Sequence, residues 1–315
     1  MLISIAIPCY NSSKTLRTVV TEIKDVFRQK IGYDYQIILV NDNSPDKTYD
    51  VIRSLCAEDR RIIGVDLSKN YGQISAQMAA IRFIKGEVAV FMDDDGQHAP
   101  ADLFQLVDKV LDGSDLVFAS FGKKQHSFLK KATSAMNAKL LEMTNRKPKG
   151  ITISSFFALS RTAVDSLKDY KSPYPSICGY LLQITSKISN VELQHRDRLA
   201  GHSNYSLSKL VKLFLQGFTN FSIVPLRVSS FIGIFSAFIG FIIGIYYIIR
   251  RLFIPGTVSG FTANISATLF IGGLIMLMLG MLGEYIGRIY ILLSDMPQYN
   301  IRETINEDKN GTKEK

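Results

Sequence analysis

The chain has 315 residues, 47% of them hydrophobic, with 37 Lys and Arg against 28 Asp and Glu for a formal net charge of +9. That length holds one medium domain with its own core plus appendages, and the apolar excess of the last third is high for a chain kept wholly in water. Cys9, Cys56 and Cys178 form no C-x-x-C pair and indicate neither a disulfide framework nor a zinc site, while the basic balance suits a surface facing anionic lipid or phosphate rather than nucleic acid.

In chain order, Leu2–Ile7, Tyr35–Val40, Arg61–Asp66, Glu87–Met92 and Asp115–Ser120 are short, apolar and rich in β-branched residues, the pattern of strands buried on both faces. The first run is too short for a signal peptide and lacks a basic leader, so the amino terminus is expected in the cytoplasm. Leu16, Val19, Val20, Ile23 and Phe27 share one helix face, and so do Leu103, Leu106, Val107, Val110 and Leu111. The latter helix is expected to start after Pro100 and stop at Gly113. Alternating β and α units predict a doubly wound, mostly parallel sheet of the Rossmann-like α/β class, which gathers ligands beyond the carboxyl ends of its strands.

Beyond Lys123 the pattern loosens. Lys123, Lys124, Lys130 and Lys131 form a basic stretch, and a short strand is expected around Ser155–Ser160. Leu207–Phe221 is amphipathic and basic, as suits a helix lying in a membrane interface. Ser229–Ile249 then offers 21 residues without a charge, about 31 Å of helix against a hydrocarbon core of about 30 Å. Ile265–Leu282 is shorter, about 27 Å. The two predict a transmembrane hairpin that returns the carboxyl terminus to the cytoplasm. Gly240-x-x-x-Gly244 and Gly283-x-x-x-Gly287 permit close helix approach. The charged tail from Asn306 to Lys315 is expected to be disordered. The organisation expected is a catalytic domain over 1–206, an interfacial helix region over 207–228, a hairpin over 229–290 and a cytoplasmic tail over 291–315.

The chemistry sits at strand ends. Asn41-Asp42-Asn43-Ser44-Pro45-Asp46 follows the second strand, and Asp93-Asp94-Asp95-Gly96 follows the fourth. Side chains two apart on an extended segment point the same way, so Asp93 and Asp95 can address one ligand while Asp94 faces away. Two carboxylates beside a diphosphate suit a hard divalent cation, Mg²⁺ or Mn²⁺. An Asp-x-Asp-Gly run alone is an ordinary turn, but a second acidic loop at a neighbouring strand end favours a site.

These stretches resemble the family 2 glycosyltransferases with a GT-A fold, and within them the polyprenyl-phosphate sugar transferases. The latter include dolichyl-phosphate mannose synthases, bactoprenol glucosyltransferases and undecaprenyl-phosphate aminoarabinose transferases. The matching runs are IAIPCYN at Ile5–Asn11, ILVNDNSPDKT at Ile38–Thr48, LSKNYGQISAQMAA at Leu67–Ala80 and FMDDDGQHAP at Phe91–Pro100. RLAGHSNYSLSKL at Arg198–Leu210, PLR at Pro225–Arg227 and LGEYIGRIY at Leu282–Tyr290 complete them. The resemblance implies a membrane-bound inverting transferase of the inner membrane, moving a sugar from a nucleotide-sugar, UDP-linked, to polyprenyl (undecaprenyl) phosphate with Mg²⁺ or Mn²⁺ for cell-envelope glycan modification. It also makes a homo-oligomer, a tetramer, plausible. Carried over by position, Pro8, Tyr10, Asn11, Asp42 and Asp93 would line the nucleotide-sugar pocket. Asp93, Asp95 and Gln97 would be catalytic, with Asp95 on the metal. Arg198, Ser203, Lys124 and Lys130 would approach the lipid phosphate.

The chain departs from the family at three places. Ser12 stands where Glu is usual, and Gly96-Gln97-His98-Ala99-Pro100 replaces an L-Q-D-P-P run. Ser154-Ser155-Phe156 stands where Gly-Asp-aromatic often supplies the base, so no carboxylate is available there. A polyprenyl phosphate has a second pKa of about 6 and is already largely anionic at neutral pH. It needs no base, unlike a sugar hydroxyl. A second enzyme reading, a processive polysaccharide synthase, would carry a Q-x-x-R-W motif, which the absence of Trp removes. The competing non-enzymatic reading is a membrane-anchored binding or lipid-handling component with a degenerate transferase domain.

Overall fold

The computed structural model describes residues 1–121, 148, 150–173, 175–193, 224–253, 260–294 and 297–307. Its strands are β1 (Leu2–Cys9), β2 (Asp34–Asn41), β3 (Ile62–Leu67), β4 (Val88–Phe91), β5 (Leu116–Phe121), β6 (Phe157–Ser160), β7 (Ile188–Leu193) and β8 (Ile301–Ile305). They form one sheet in the order β7-β5-β6-β4-β1-β2-β3-β8. The pairs β1/β2, β1/β4, β2/β3 and β5/β7 are parallel, and β3/β8, β4/β6 and β5/β6 are antiparallel. The sheet is therefore more mixed than the strand runs suggest, although its central block β3-β2-β1-β4 is parallel throughout.

Alternation along the strands splits the core into two layers. Ile3, Ile5 and Ile7 of β1 face α1 (Leu16–Arg28), α2 (Thr48–Glu58) and α4 (Leu103–Leu111), meeting Val20, Ile52 and Leu106. Ala6, Ile38 and Phe91 face the other way, toward α3 (Gln73–Ile81), α5 (Arg161–Lys168) and α6 (Ile177–Ile184). Phe91 stacks on Phe157 across the β4/β6 pair at 4.7 Å between ring centroids and 8° between planes. Both rings are buried, so this stack fixes where β4 ends and its acidic loop begins.

β1, β2 and β3 step outward in one direction, and β4 joins β1 on its other side. The direction in which the chain steps across the sheet thus reverses at β1/β4, the kind of switch point beyond whose carboxyl ends such sheets form a binding crevice. The β1/β4 pairing stops at Ala6 and Phe91. Pro8, which has no N–H to give, lies past it where β1 pairs only with β2. The sequence runs did not single out β7 and β8, which occupy the two edges. An edge strand is open to solvent on one side and need not be an apolar run; β8 reads Ile-Arg-Glu-Thr-Ile.

The described chain divides into two compact units, 1–206 with 297–315 and 207–296. In the second, α7 spans Val224–Phe253 and α8 spans Phe261–Leu293. Among the described residues one stretch, Phe270–Leu293 of α8, is long and apolar enough to cross a membrane. The apolar stretch of α7 is the shorter Phe231–Ile242. Two long helices are described where the sequence predicts a two-span hairpin, but only one of them carries a described stretch long enough to span, so the second span is not borne out. Lys124, Lys130, Arg198, Ser203, the helix expected over Leu207–Phe221 and the tail from residue 308 onward lie outside the described residues.

Phe157→Ala should cost about 3–5 kcal/mol of stability, the usual range for emptying a buried aromatic site. Chemical denaturation of the purified chain checks this, and a loss below about 1 kcal/mol would show that the stack does not anchor β4.

Candidate active site at the β1/β4 crevice

Asp93, Asp94 and Asp95 begin two residues after β4, once the ladder to β1 has ended. The Asp93 carboxylate accepts from the Gln73 side-chain amide at 2.7 Å and, on its other oxygen, from the Ser155 hydroxyl at 2.7 Å. Gln73 opens α3 and Ser155 precedes β6, so two elements distant in sequence hold one carboxylate. The Asp93 N–H donates to His98 Nδ1 at 3.0 Å. That ring is buried and stacks on Phe156 at 4.7 Å and on Phe121 at 5.9 Å. The histidine in place of the family's carboxylate therefore caps the β4 end from an aromatic sandwich.

Asp94 turns toward β1, where its carboxylate accepts the Tyr10 N–H at 3.2 Å and the Ser12 hydroxyl. Burial pushes its pKa up to about 6; the Ser12 and Tyr10 hydrogen bonds oppose that rise and the neighbouring Asp93 charge adds to it. Asp95 closes a tight turn by accepting the Gln97 N–H at 3.0 Å. Gly96 inside the turn has φ of 76°, a left-handed value that the family's Leu would adopt only with strain.

Asp42 is buried at the end of β2 and holds a different loop. Its two oxygens accept the Tyr71 N–H at 2.7 Å and the Gly72 N–H at 2.8 Å, just before α3. Burial raises its pKa against the pull of those two donors. Asn11, at φ 59°, donates its N–H to Ser44 Oγ at 3.2 Å, joining the β1 loop to the β2 loop. Tyr10 is exposed beside them and Pro8 is buried beneath.

The crevice thus brings Pro8, Tyr10, Asn11, Asp42, Asp93, Asp95 and Gln97 to neighbouring strand ends. The sequence does not mark Gln73, Ser12 and His98 as working parts, although Gln73 and His98 lie in the matching runs and Ser12 directly follows the first of them. Their roles depend on pairings 20 and 82 residues apart for Gln73 and Ser12, which no local pattern reports. Chemically the arrangement presents hard oxygen donors at a crevice. Among the described residues no group of three or more His, Cys, Asp or Glu could hold a metal ion by itself. A cation here would be shared with a ligand that brings its own oxygens, as a diphosphate does.

The family model described as glycosyl transferase family 2 matches residues 4–167, and the model described as the GtrB C-terminal hairpin matches residues 224–289. An uncharacterized glycosyltransferase of Bacillus subtilis, YkcC, is 31% identical over 96% of this chain and 93% of its own. The SfII prophage-derived bactoprenol glucosyl transferase of Shigella flexneri is 30% identical over 96% of this chain and 98% of its own. Among solved structures, glucosyl-3-phosphoglycerate synthase from Mycobacterium tuberculosis in complex with Mn²⁺, uridine diphosphate and phosphoglyceric acid superposes with a TM-score of 0.51. It is 20% identical and covers 70% of this chain and 79% of its own, a likeness of fold.

Because the Ser12 hydroxyl holds the Asp94 pKa down, Ser12→Ala should move the Asp94 titration midpoint above about 6. Isotope-edited infrared titration of the carboxyl band reads this directly, and an unchanged or lowered midpoint would contradict the hydrogen-bond assignment.

Proposed function

The chain belongs to glycosyl transferase family 2, and from that membership we propose that it moves a sugar from a uridine-diphosphate donor to undecaprenyl phosphate at a cell membrane. The observation that carries this is the presence in one chain of both matches, the transferase domain over 4–167 and the GtrB-type hairpin over 224–289. The activity named for the Shigella relative, bactoprenol glucosyl transfer, supports a lipid-phosphate acceptor. A uridine diphosphate in the M. tuberculosis enzyme of like fold supports the donor class. We place the two helices in the bilayer as a hairpin, with the sheet domain in the cytoplasm where nucleotide-sugars are made. The exposed apolar side chains of α8 support that placement, Phe270, Ile275 and Leu279 among them.

In this reading an acceptor phosphate oxygen attacks the anomeric carbon, and the bond from that carbon to the donor diphosphate breaks with its electron pair leaving on the diphosphate. At neutral pH the acceptor is largely a dianion, so no side chain has to remove a proton. Ser155 accordingly does not act as a base. Its hydroxyl fixes Asp93, as does the Gln73 amide, so that the carboxylate is set before the donor arrives. Asp42, through Tyr71 and Gly72, shapes the wall of the nucleotide pocket. Asp95, with Asp93 beside it, would hold a Mg²⁺ or Mn²⁺ that neutralises charge on the departing diphosphate when bound. Arg198 and Ser203 are proposed for the lipid phosphate, with Lys124 and Lys130.

The test is incubation of the purified full chain with a panel of nucleotide-sugars and undecaprenyl phosphate, with and without divalent metal. Metal-dependent transfer to the lipid is expected, and it should fall as pH drops through about 6 where the acceptor takes up a proton. Donor binding without transfer from any member of the panel would favour a binding component instead. Two variants sharpen the assignment. Asp95→Asn should remove most turnover with the fold intact, whereas Ser155→Ala should slow it by no more than about tenfold, the worth of one hydrogen bond. Near wild-type transfer by Asp95→Asn, or collapse in Ser155→Ala, would reverse these roles.

A further inference from the structure

Residues 297–307 follow α8 in the chain yet belong to the sheet unit, where β8 lies antiparallel on the edge of β3. The register pairs Val65 with Thr304, Asp66 with Glu303, and then Leu67 with Ile301. Arg302 is skipped. It is the extra residue of a β-bulge, a device that bends an edge strand and re-aims one side chain. The re-aimed guanidinium donates from Nη1 to Asp66 Oδ2 at 3.2 Å and from Nη2 to the Ser68 carbonyl at 2.8 Å.

Asp66 is the receiving end of a chain of contacts that leads into the crevice. Its side chain is 5% exposed, against 55% for Arg302, so the arginine reaches a buried group from the surface. The other Asp66 oxygen accepts the Asn41 amide at 2.7 Å, across the β2/β3 pair. The Asn41 side-chain oxygen in turn accepts the Ser44 N–H at 3.2 Å. Ser44 is the residue whose hydroxyl takes the Asn11 N–H of the β1 loop. The loop Asn41–Asp46, with Asp42 in it, is thus held at its start through Asp66. A buried carboxyl group needs its partners, because removing one leaves the full desolvation cost in place.

The rest of the segment fastens the bulge in position. Glu303 accepts from Arg53 at 2.8 Å and from the Tyr49 hydroxyl at 3.2 Å. Asn306, at φ 61°, donates its amide to the carbonyls of Cys56 and Ile62 at 2.7 and 2.9 Å. These bonds leave Arg302 little freedom to point elsewhere.

We infer that Arg302 is a positioning residue for the nucleotide loop: through Asp66 and Asn41 it sets the loop that carries Asp42, and so sets donor affinity. The nucleotide pocket is in this sense completed by sequence that comes after both long helices. The inference rests on the proposed donor reading for its second half only.

The experiment compares the full chain with Arg302→Ala, Arg302→Lys and the double variant Asp66→Asn with Arg302→Ala. Amide hydrogen exchange without ligand reads the loop; uridine diphosphate binding and the donor KM, acceptor KM and kcat read the site. Arg302→Ala should speed exchange across Asn41–Asp46 and raise the donor KM and the uridine diphosphate Kd by about three- to tenfold, the scale of one hydrogen bond. The acceptor KM should hold and kcat should change by less than about twofold. Arg302→Lys should recover part of the donor affinity by keeping a cation near Asp66. The double variant should also recover, because a neutral amide at position 66 still accepts from Asn41 and no longer needs the guanidinium. Unchanged exchange in Arg302→Ala overturns the inference, as does faster exchange with unaltered nucleotide affinity. A uniform loss in all three kinetic constants with lowered melting temperature, unrescued by the double variant, marks Arg302 as merely structural and overturns it too. A wild-type chain that binds no uridine nucleotide counts against the proposed donor, while the exchange comparison still decides whether Arg302 positions the loop.

Discussion

The Asp93 carboxylate, held from two sides by Gln73 and Ser155, is the interaction on which the site depends. A carboxylate at a strand end would ordinarily sample several rotamers, and a transferase that works by alignment cannot use one that wanders. Here each oxygen has its own donor. Those donors come from the start of α3 and the loop before β6, so the packing of both elements against the central sheet is expressed at one side chain. The stacked Phe91 and Phe157 rings below it tie β4 to β6 and keep the two halves of this clasp in register.

The neighbouring carboxylates divide the remaining work. Asp94 is spent on the β1 loop, where Tyr10 and Ser12 occupy it. Asp42 is spent on the backbone ahead of α3. Asp95 is turned into a tight turn that only a glycine at position 96 adopts easily. Asp93 and Asp95 are the pair proposed for a ligand, while Asp94 and Asp42 hold the loops around them. This division explains how the chain can lack a carboxylate at Ser155 without losing its design. The serine serves Asp93, and an acceptor that arrives as a phosphate dianion supplies its own nucleophile.

Much of this was legible in the sequence, for a physical reason. Strands buried on both faces must be apolar runs, so β1 to β5 announced themselves, and the acidic residues that follow the second and fourth runs marked Asp42 and Asp93 as candidates. The spacing of two between Asp93 and Asp95 sets them apart from Asp94 only on an extended segment, whereas Asp94 and Asp95 lie in a bend and Asp95 closes a turn on Gln97. Edge strands carry no such obligation, and β8 with its Arg and Glu read as tail. Ser155 and Asp93 meet across 62 residues, and Arg302 and Asp66 across 236. Neither contact leaves a local periodic trace. Ser12 and His98 read as departures from a family pattern, whereas in the fold each completes a hydrogen bond at a loop end.

The central claim is a single in-line displacement at the anomeric carbon by a lipid phosphate, with pre-set carboxylates and no protein base. The stereochemistry of the lipid-linked product, read by NMR after transfer from an α-linked donor, tests it most directly. The account predicts a β-linked sugar phosphate. An α-linked product would mean retention, a second nucleophile in the crevice and a different chemical role for the residues around Asp93.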